Sequence, residues 1–256
     1  MPELPDLEVF AANLEKRFKN KVLEQIDVIV AKKLNVPIKQ LKDTVEGKQL
    51  EKVSREGKTM QLHFKNDTVI GLHLMLHGEI RELSEEGPKF QILSFHFKGG
   101  DGFALCDFQK MATPTLNPEK SDVPDALDMK LDHFTALLSK KKMEIKGLLM
   151  DQKLIRGIGN TYADEILWAA RISPFSIARA IPEAQVKKLL ETIRQLLKKE
   201  AANINEILQD ELNGEVKDFL VIHRPDLKKS PAGGEIKVEK KGARKTYYTD
   251  EQELFI

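Results

Sequence analysis

The hydrophobic period of the chain changes twice along its length, and that change constrains the fold more than any other feature. Leu7, Phe10, Ala11, Leu14 and Phe18 recur at helical spacing and predict one amphipathic helix at the start. The period then becomes two. Segments 22–30, 48–54, 59–64, 68–80, 92–97 and 103–107 alternate apolar and polar residues, with turns such as Lys65-Asn66-Asp67 and Gly99-Gly100-Asp101-Gly102 between them. A β-sandwich with a leading helix buries such a set. Pro114, Pro118 and Pro124 among small polar residues predict a linker over 112–130. Helical spacing returns at 131–139, 143–151, 160–170, 182–197 and 201–211, and the tail reads as a hairpin of 235–239 and 244–248. An α+β chain is expected, with an N-terminal β domain over 1–111, a helical domain over 131–222 and a terminal hairpin over 223–256.

Composition narrows the function classes. Hydrophobic residues at 41% and charged residues at 32% describe a chain able to bury a core. No apolar run approaches the roughly 18 to 20 residues of a spanning helix, and the start lacks the basic-then-apolar form of a signal peptide, so a cytoplasmic location and no membrane partner are expected. The single cysteine, Cys106, excludes an intrachain disulfide and a Cys-rich zinc finger. A formal net charge of +1 looks unpromising for nucleic acid, yet charge is local. Residues 140–160 hold six positive and two negative side chains, and 224–245 hold eight and three. These islands make one polyanion-binding surface if the fold joins them, and two ordinary solvated faces if it does not.

The N-terminus reads Met1-Pro2-Glu3-Leu4-Pro5-Asp6-Leu7-Glu8. A small second residue favours removal of Met1, which would leave Pro2 a free secondary amine. An α-amino group titrates near about 7.7 to 8.0, against about 10.4 for lysine, so part of it is unprotonated at neutral pH. Attack on a sugar carbon gives a cationic iminium, an electron sink for β-elimination. Glu3 beside it is a candidate proton shuttle. Farther on, Gly157 and Gly159 allow a sharp turn between two helices, with Asn160 placed to cap the second, and such a turn aims free N–H groups at a phosphate. Alternatively, Pro2 merely starts the chain and the glycines merely pack a helical hairpin.

The opening Pro2-Glu3-Leu4-Pro5-Asp6-Leu7-Glu8, together with Gly157-Ile158-Gly159-Asn160-Thr161-Tyr162-Ala163-Asp164-Glu165-Ile166-Leu167, resembles the formamidopyrimidine-DNA glycosylase and endonuclease VIII family. The resemblance runs the length of the chain. It implies a β-sandwich domain and a helix–two-turn–helix domain. It also implies a nucleophile at Pro2, an acid/base residue at Glu3, the family's hairpin lysine at Lys58 and its phosphate-binding asparagine at Asn160. Most such relatives end in a four-cysteine zinc finger whose hairpin carries a phosphate-gripping arginine. Here Arg244 matches the arginine, whereas Thr249 and Gln252 stand where a cysteine pair would be, and 224–234 lacks the other pair. The pattern resembles the zincless finger of some relatives, so neither metal nor cofactor is expected. His73 and His77, read as one strand, would lie about 13 Å apart, too far to share a zinc ion.

The same resemblance places the wedges that fill the space of an extruded nucleotide at Leu76, Gln109 and Met111, where relatives carry methionine, arginine and phenylalanine. The alternative makes Leu76 and Met111 core residues. Segment 210–219 is short where relatives that prefer 8-oxoguanine carry a longer loop. The expected function is a bifunctional DNA glycosylase and abasic-site lyase, a monomer acting on double-stranded DNA at the bacterial nucleoid, with formamidopyrimidines, oxidised pyrimidines or abasic sites as substrates. The competing reading is a non-catalytic or lyase-only damage-binding protein, because a retained Met1 would leave Pro2 without a free amine and the wedge loop is altered.

Overall fold

A computed structural model describes residues 1–256, which divide into two units: Met1–Lys120 with Ile204–Glu215, and Ser121–Asn203 with Val216–Ile256. In the first unit the helical spacing at the start closes into α1 (Leu4–Phe18), whose five patterned side chains are all 3% exposed or less. Then follow β1 (Leu23–Val28), α2 (Ile38–Val45), β2 (Leu50–Glu56), β3 (Thr59–Phe64), β4 (Thr68–His73), β5 (Glu79–Glu82), β6 (Gln91–Phe97), β7 (Gly102–Cys106) and β8 (Thr113–Leu116). They form two antiparallel four-stranded sheets, ordered β1-β6-β7-β5 and β2-β3-β4-β8. Phe10, Phe18, Phe64, Phe95, Phe97 and Phe103 are all 1% exposed or less in the core, each contributing about 2 to 3 kcal/mol of burial. Phe18 stacks on Phe97 with ring centroids 4.9 Å apart.

Three local differences from the sequence reading have physical causes. The alternating segment 68–80 is two strands in two different sheets, because Met75 adopts φ 57° and turns the chain between them. Residues 113–116, expected in the linker, are strand β8, which pairs with β4 at the sheet edge, where prolines are tolerated. Helix α2 was not anticipated, since it buries only Leu41 and Val45.

The second unit contains α3 (Leu131–Ser139), α4 (Ile145–Met150), α5 (Asn160–Ala170), most of α6 (Glu183–Leu208), β9 (Lys237–Lys241) and β10 (Arg244–Tyr248). The two helices expected over 182–197 and 201–211 are one, α6. The polar residues 198–200 carry no helix breaker, and Glu200 is itself buried. β9 and β10 pair in register around Gly242-Ala243, where Gly242 takes φ 63°, a left-handed value that glycine adopts without strain.

Candidate active site

Pro2 lies half-buried on a cleft of about 240 Å³ in the first unit, walled by Asp6, Phe10, Leu76, His77 and Asn213. The next residue, Glu3, is the N-cap of α1 and is 4% exposed. Its backbone N–H donates to the Asp6 carboxylate at 2.8 Å, and the Glu3 carboxylate accepts the Asp6 N–H in return. Burial pushes the Asp6 carboxyl up to about 7. The Glu3 N–H pulls against that shift, while the Glu3 and Glu215 charges add to it. The native state therefore binds more protons than the unfolded chain between about pH 4 and 7, and this group's contribution to stability falls as pH rises through that window.

Lys58 sits in the two-residue turn Gly57-Lys58 between β2 and β3 and is 9% exposed. Arg55 braces that turn, with its Nε 2.7 Å from Glu8 and its Nη1 donating to the Gly57 carbonyl at 3.1 Å. Burial, and then the Lys58 charge, hold His73 below the usual histidine range. A neutral His73 ring accepts the Met75 N–H on Nδ1 at 3.1 Å. His77 is not in a strand continuing from His73; it lies in the turn beyond.

That turn is built around Gly78. Its N–H donates to the Leu74 carbonyl at 2.8 Å, and a Cβ there would come within 2.1 Å of the same oxygen, so glycine is required. The turn leaves Leu76 58% exposed. The loop of Gln109 and Met111 hangs on the buried Asp107, whose carboxylate accepts the N–H groups of Gln109, Met111 and Ala112, each at 2.8 Å. Gln109 is exposed, and Met111 is 38% exposed. Neither Leu76 nor Met111 is a core residue. Sequence reasoning missed Phe108, which is 54% exposed and packs its ring 4.8 Å from that of His77. An aspartate whose next acceptable partners lie two to five residues on was the available signal for Asp107.

In the second unit α5 begins at Asn160, with Gly159 rather than Asn160 as its N-cap. The freed Asn160 amide donates instead to the Lys245 carbonyl at 3.2 Å, which places Asn160 next to the hairpin strand that starts with the exposed Arg244. Gln152 staples the turn before α5: its amide donates to the Met150 and Ile158 carbonyls at 3.0 and 2.8 Å and accepts the Gly157 N–H at 2.9 Å. β10 is held to α5 by a buried cluster absent from the sequence reading. Lys146 Nζ lies 2.7 Å from Asp164, which is 1% exposed, and also donates to the Lys245 carbonyl and to Thr246 Oγ1. The other Asp164 oxygen lies 2.7 Å from His223 Nδ1 and accepts the Tyr247 N–H at 3.0 Å.

Lys146 of the first basic segment thus reaches the Lys245 carbonyl of the second, but as a buried partner of Asp164 and not as an exposed cation. The chain does not fit the zinc ion of four-cysteine fingers. Thr249 and Gln252 offer a hydroxyl and an amide, both engaged in hydrogen bonds, and Cys106 is buried in β7.

Residues 1–113 match the formamidopyrimidine-DNA glycosylase N-terminal domain, and residues 121–210 match the formamidopyrimidine-DNA glycosylase H2TH domain. A formamidopyrimidine-DNA glycosylase of Streptococcus mutans is 34% identical over 211 residues, covering 77% of each chain. The chain belongs to the formamidopyrimidine-DNA glycosylase family. Another such glycosylase, from Mycoplasma mobile, is 28% identical over 97% of each chain. Among solved structures of the family, Lactococcus lactis Fpg in complex with FAPY-dG-containing DNA superposes with a TM-score of 0.87 at 25% identity, covering 98% of this chain and all of that one. An LlFpg complex with THF-DNA and an inhibitor gives 0.88 at 26% identity. In this glycosylase family frame, α3, α4, α5 and most of α6 fall within the H2TH domain.

Proposed function

We propose that this DNA glycosylase of base excision repair is bifunctional and that Pro2, freed of Met1, is its nucleophile. The observation that carries the reading is the half-buried Pro2 on a cleft, next to the buried Glu3 and under the exposed Leu76. The Pro2 nitrogen attacks C1′ of an extruded damaged nucleotide and the base departs with a proton; the C1′–O4′ bond then breaks as O4′ takes a proton, leaving a ring-opened iminium. Loss of the C2′ proton breaks the C3′–O bond, and a second elimination breaks the C5′–O bond. Glu3 holds and returns the protons at the sugar. Lys58, at the β2–β3 turn, supplies a second cation for the reacting nucleotide. Leu76, Gln109 and Met111 occupy the space the nucleotide leaves, and Gln109 lacks the charged fork of arginine for reading the orphaned base. The partner is double-stranded DNA, bound by a monomer in the cytoplasm at the nucleoid.

The Met1-free chain should convert a duplex carrying a formamidopyrimidine or an abasic site into one with a single-nucleotide gap bearing phosphates at both ends. No cleavage of either duplex would favour the damage-binding alternative.

Asn160 and Arg244 grip phosphates, which positions the duplex without reading sequence. Replacing Arg244 by Ala should weaken binding to damaged and undamaged duplexes alike and lower the magnitude of the salt slope by about 1. Leu76→Ala should instead change the preference for the abasic duplex and leave the slope alone. A salt titration of both variants checks this, and an unchanged slope for Arg244→Ala would remove the hairpin from the interface.

A further inference from the structure

Between Thr249 and Gln252, the positions that the resemblance matches to a cysteine pair, this chain carries a carboxylate. Glu251 follows β10, and its Oε2 accepts hydrogen bonds from Trp168 Nε1 at 2.9 Å, Arg171 Nη1 at 3.0 Å, Ser230 Oγ at 2.8 Å and Thr249 Oγ1 at 3.0 Å. Its Oε1 accepts the Gly234 N–H at 3.2 Å. These donors come from three places: the end of α5, the turn before β9 and the turn after β10. The approach is close enough that a Cβ on Gly234 would lie 2.7 Å from the Glu251 carboxyl carbon. Arg171 also stacks on Trp168, its guanidinium 4.6 Å from the ring centroid, so both helix-end donors are fixed in direction. Around this node the backbone closes: Gln252 accepts the Thr249 N–H and donates to the Ile172 carbonyl, and Glu253 exchanges backbone bonds with Arg171 and Ser173.

A zinc ion ties two turns together by attracting four thiolates. Here the polarity is inverted, with one anion at the centre and donors around it, one of them a guanidinium. We propose that Glu251 is the positioning residue that takes the metal's place, fixing the β9–β10 hairpin against the end of α5 and so aiming Arg244. The functional half rests on the reading of Arg244 as a phosphate ligand. The alternative is a cluster that pins only the last residues of the chain and leaves the hairpin indifferent.

Trp168 is the only tryptophan, so its indole N–H gives a single resonance that reports the node directly. The full chain, treated with chelator, is compared with Glu251→Gln, Glu251→Ala, Arg244→Ala and the Glu251→Ala/Arg244→Ala double variant. Expected are an unchanged indole resonance on chelation, a displaced one in Glu251→Gln, and faster amide exchange at Lys237, Glu239, Thr246 and Tyr248 in that variant. Expected too is a salt slope for abasic-site DNA that falls by about 1 in Glu251→Ala, partly recovers in Glu251→Gln, and falls no further in the double variant. An indole resonance and hairpin exchange that match wild type in Glu251→Gln would overturn the node. A wild-type slope in Glu251→Ala beside a lowered one in Arg244→Ala would overturn its positioning role and leave Arg244 standing. If Arg244→Ala itself leaves the slope unchanged, the phosphate reading falls, and the exchange data alone decide whether Glu251 holds the hairpin. Should Glu251→Ala fail to fold, Glu251→Gln and Gly234→Ala, which crowds the carboxylate without removing it, carry the same comparisons.

Discussion

Glu3→Gln should release a damaged base about 10² to 10⁴ times more slowly than the parent chain while binding the same duplex as tightly. The amide matches the carboxyl in shape and keeps an oxygen to accept the Asp6 N–H, so the start of α1 is undisturbed. It cannot hold or return a proton. Because Glu3 is 4% exposed, little water is available to replace it. Cleavage at a preformed abasic site should fall less, since no base has to leave. Single-turnover rates on formamidopyrimidine and abasic duplexes, with circular dichroism as the control for folding, test the point. A base-release rate within about five-fold of the parent would move the proton transfer to another group, and Asp6, held at about 7, is the nearest one.

Lys146→Met should be the most damaging single change in the helical unit, costing about 3 to 5 kcal/mol. The Lys146 side chain is 8% exposed and that of Asp164 is fully buried, so removing the lysine takes the ammonium partner from a carboxylate out of reach of water and leaves it only His223 and the Tyr247 N–H. At about 2 to 4 °C per kcal/mol for a chain of this size, the melting temperature should fall by about 10 °C. The same change frees β10, because Lys146 also holds the Lys245 carbonyl and Thr246. Adding Asp164→Leu should restore part of the loss, since no lone charge remains, although His223 and the Tyr247 N–H then lose their acceptor. Thermal unfolding of the parent and the two variants measures this. A Lys146→Met chain within 1 kcal/mol of the parent would show that the pair is solvated in solution.

Elements whose pattern is local were legible in the sequence. Strand β3, helices α3 and α5 and strand β10 begin and end where periodicity and turn residues place them. What escaped was set by distant partners. The split of 68–80 depends on Gly78 meeting the Leu74 carbonyl, and the strand at 113–116 depends on pairing with β4. The motifs offered Pro2, Glu3, Asn160 and Arg244 as candidates, but they said nothing of the groups that hold them. Asp107 organises the loop of Gln109 and Met111, Asp164 meets Lys146 and the strand β10, and Glu251 gathers donors from up to 83 residues away. A buried polar group carries no periodic signature; its partners are known only once the chain has folded.

Glu251 also bears on acid stability. Burial alone would raise its pKa, but the bonds from Trp168, Ser230, Thr249 and the Gly234 N–H outweigh that and hold the carboxyl at about 2. Its native value is below its unfolded one near 4.5, so the node's stabilisation is complete above that value and fades as pH falls toward 2.

The central claim is that the Pro2 nitrogen forms the bond to DNA, and borohydride reduction tests it most directly. The Met1-free chain, mixed with an abasic-site duplex and reduced, should yield a covalent complex whose digestion shows the sugar adduct on the peptide beginning at Pro2. The chain retaining Met1 should yield none, because its Pro2 nitrogen is an amide. An adduct on Lys58 or another lysine, or equal trapping with Met1 in place, would contradict the account.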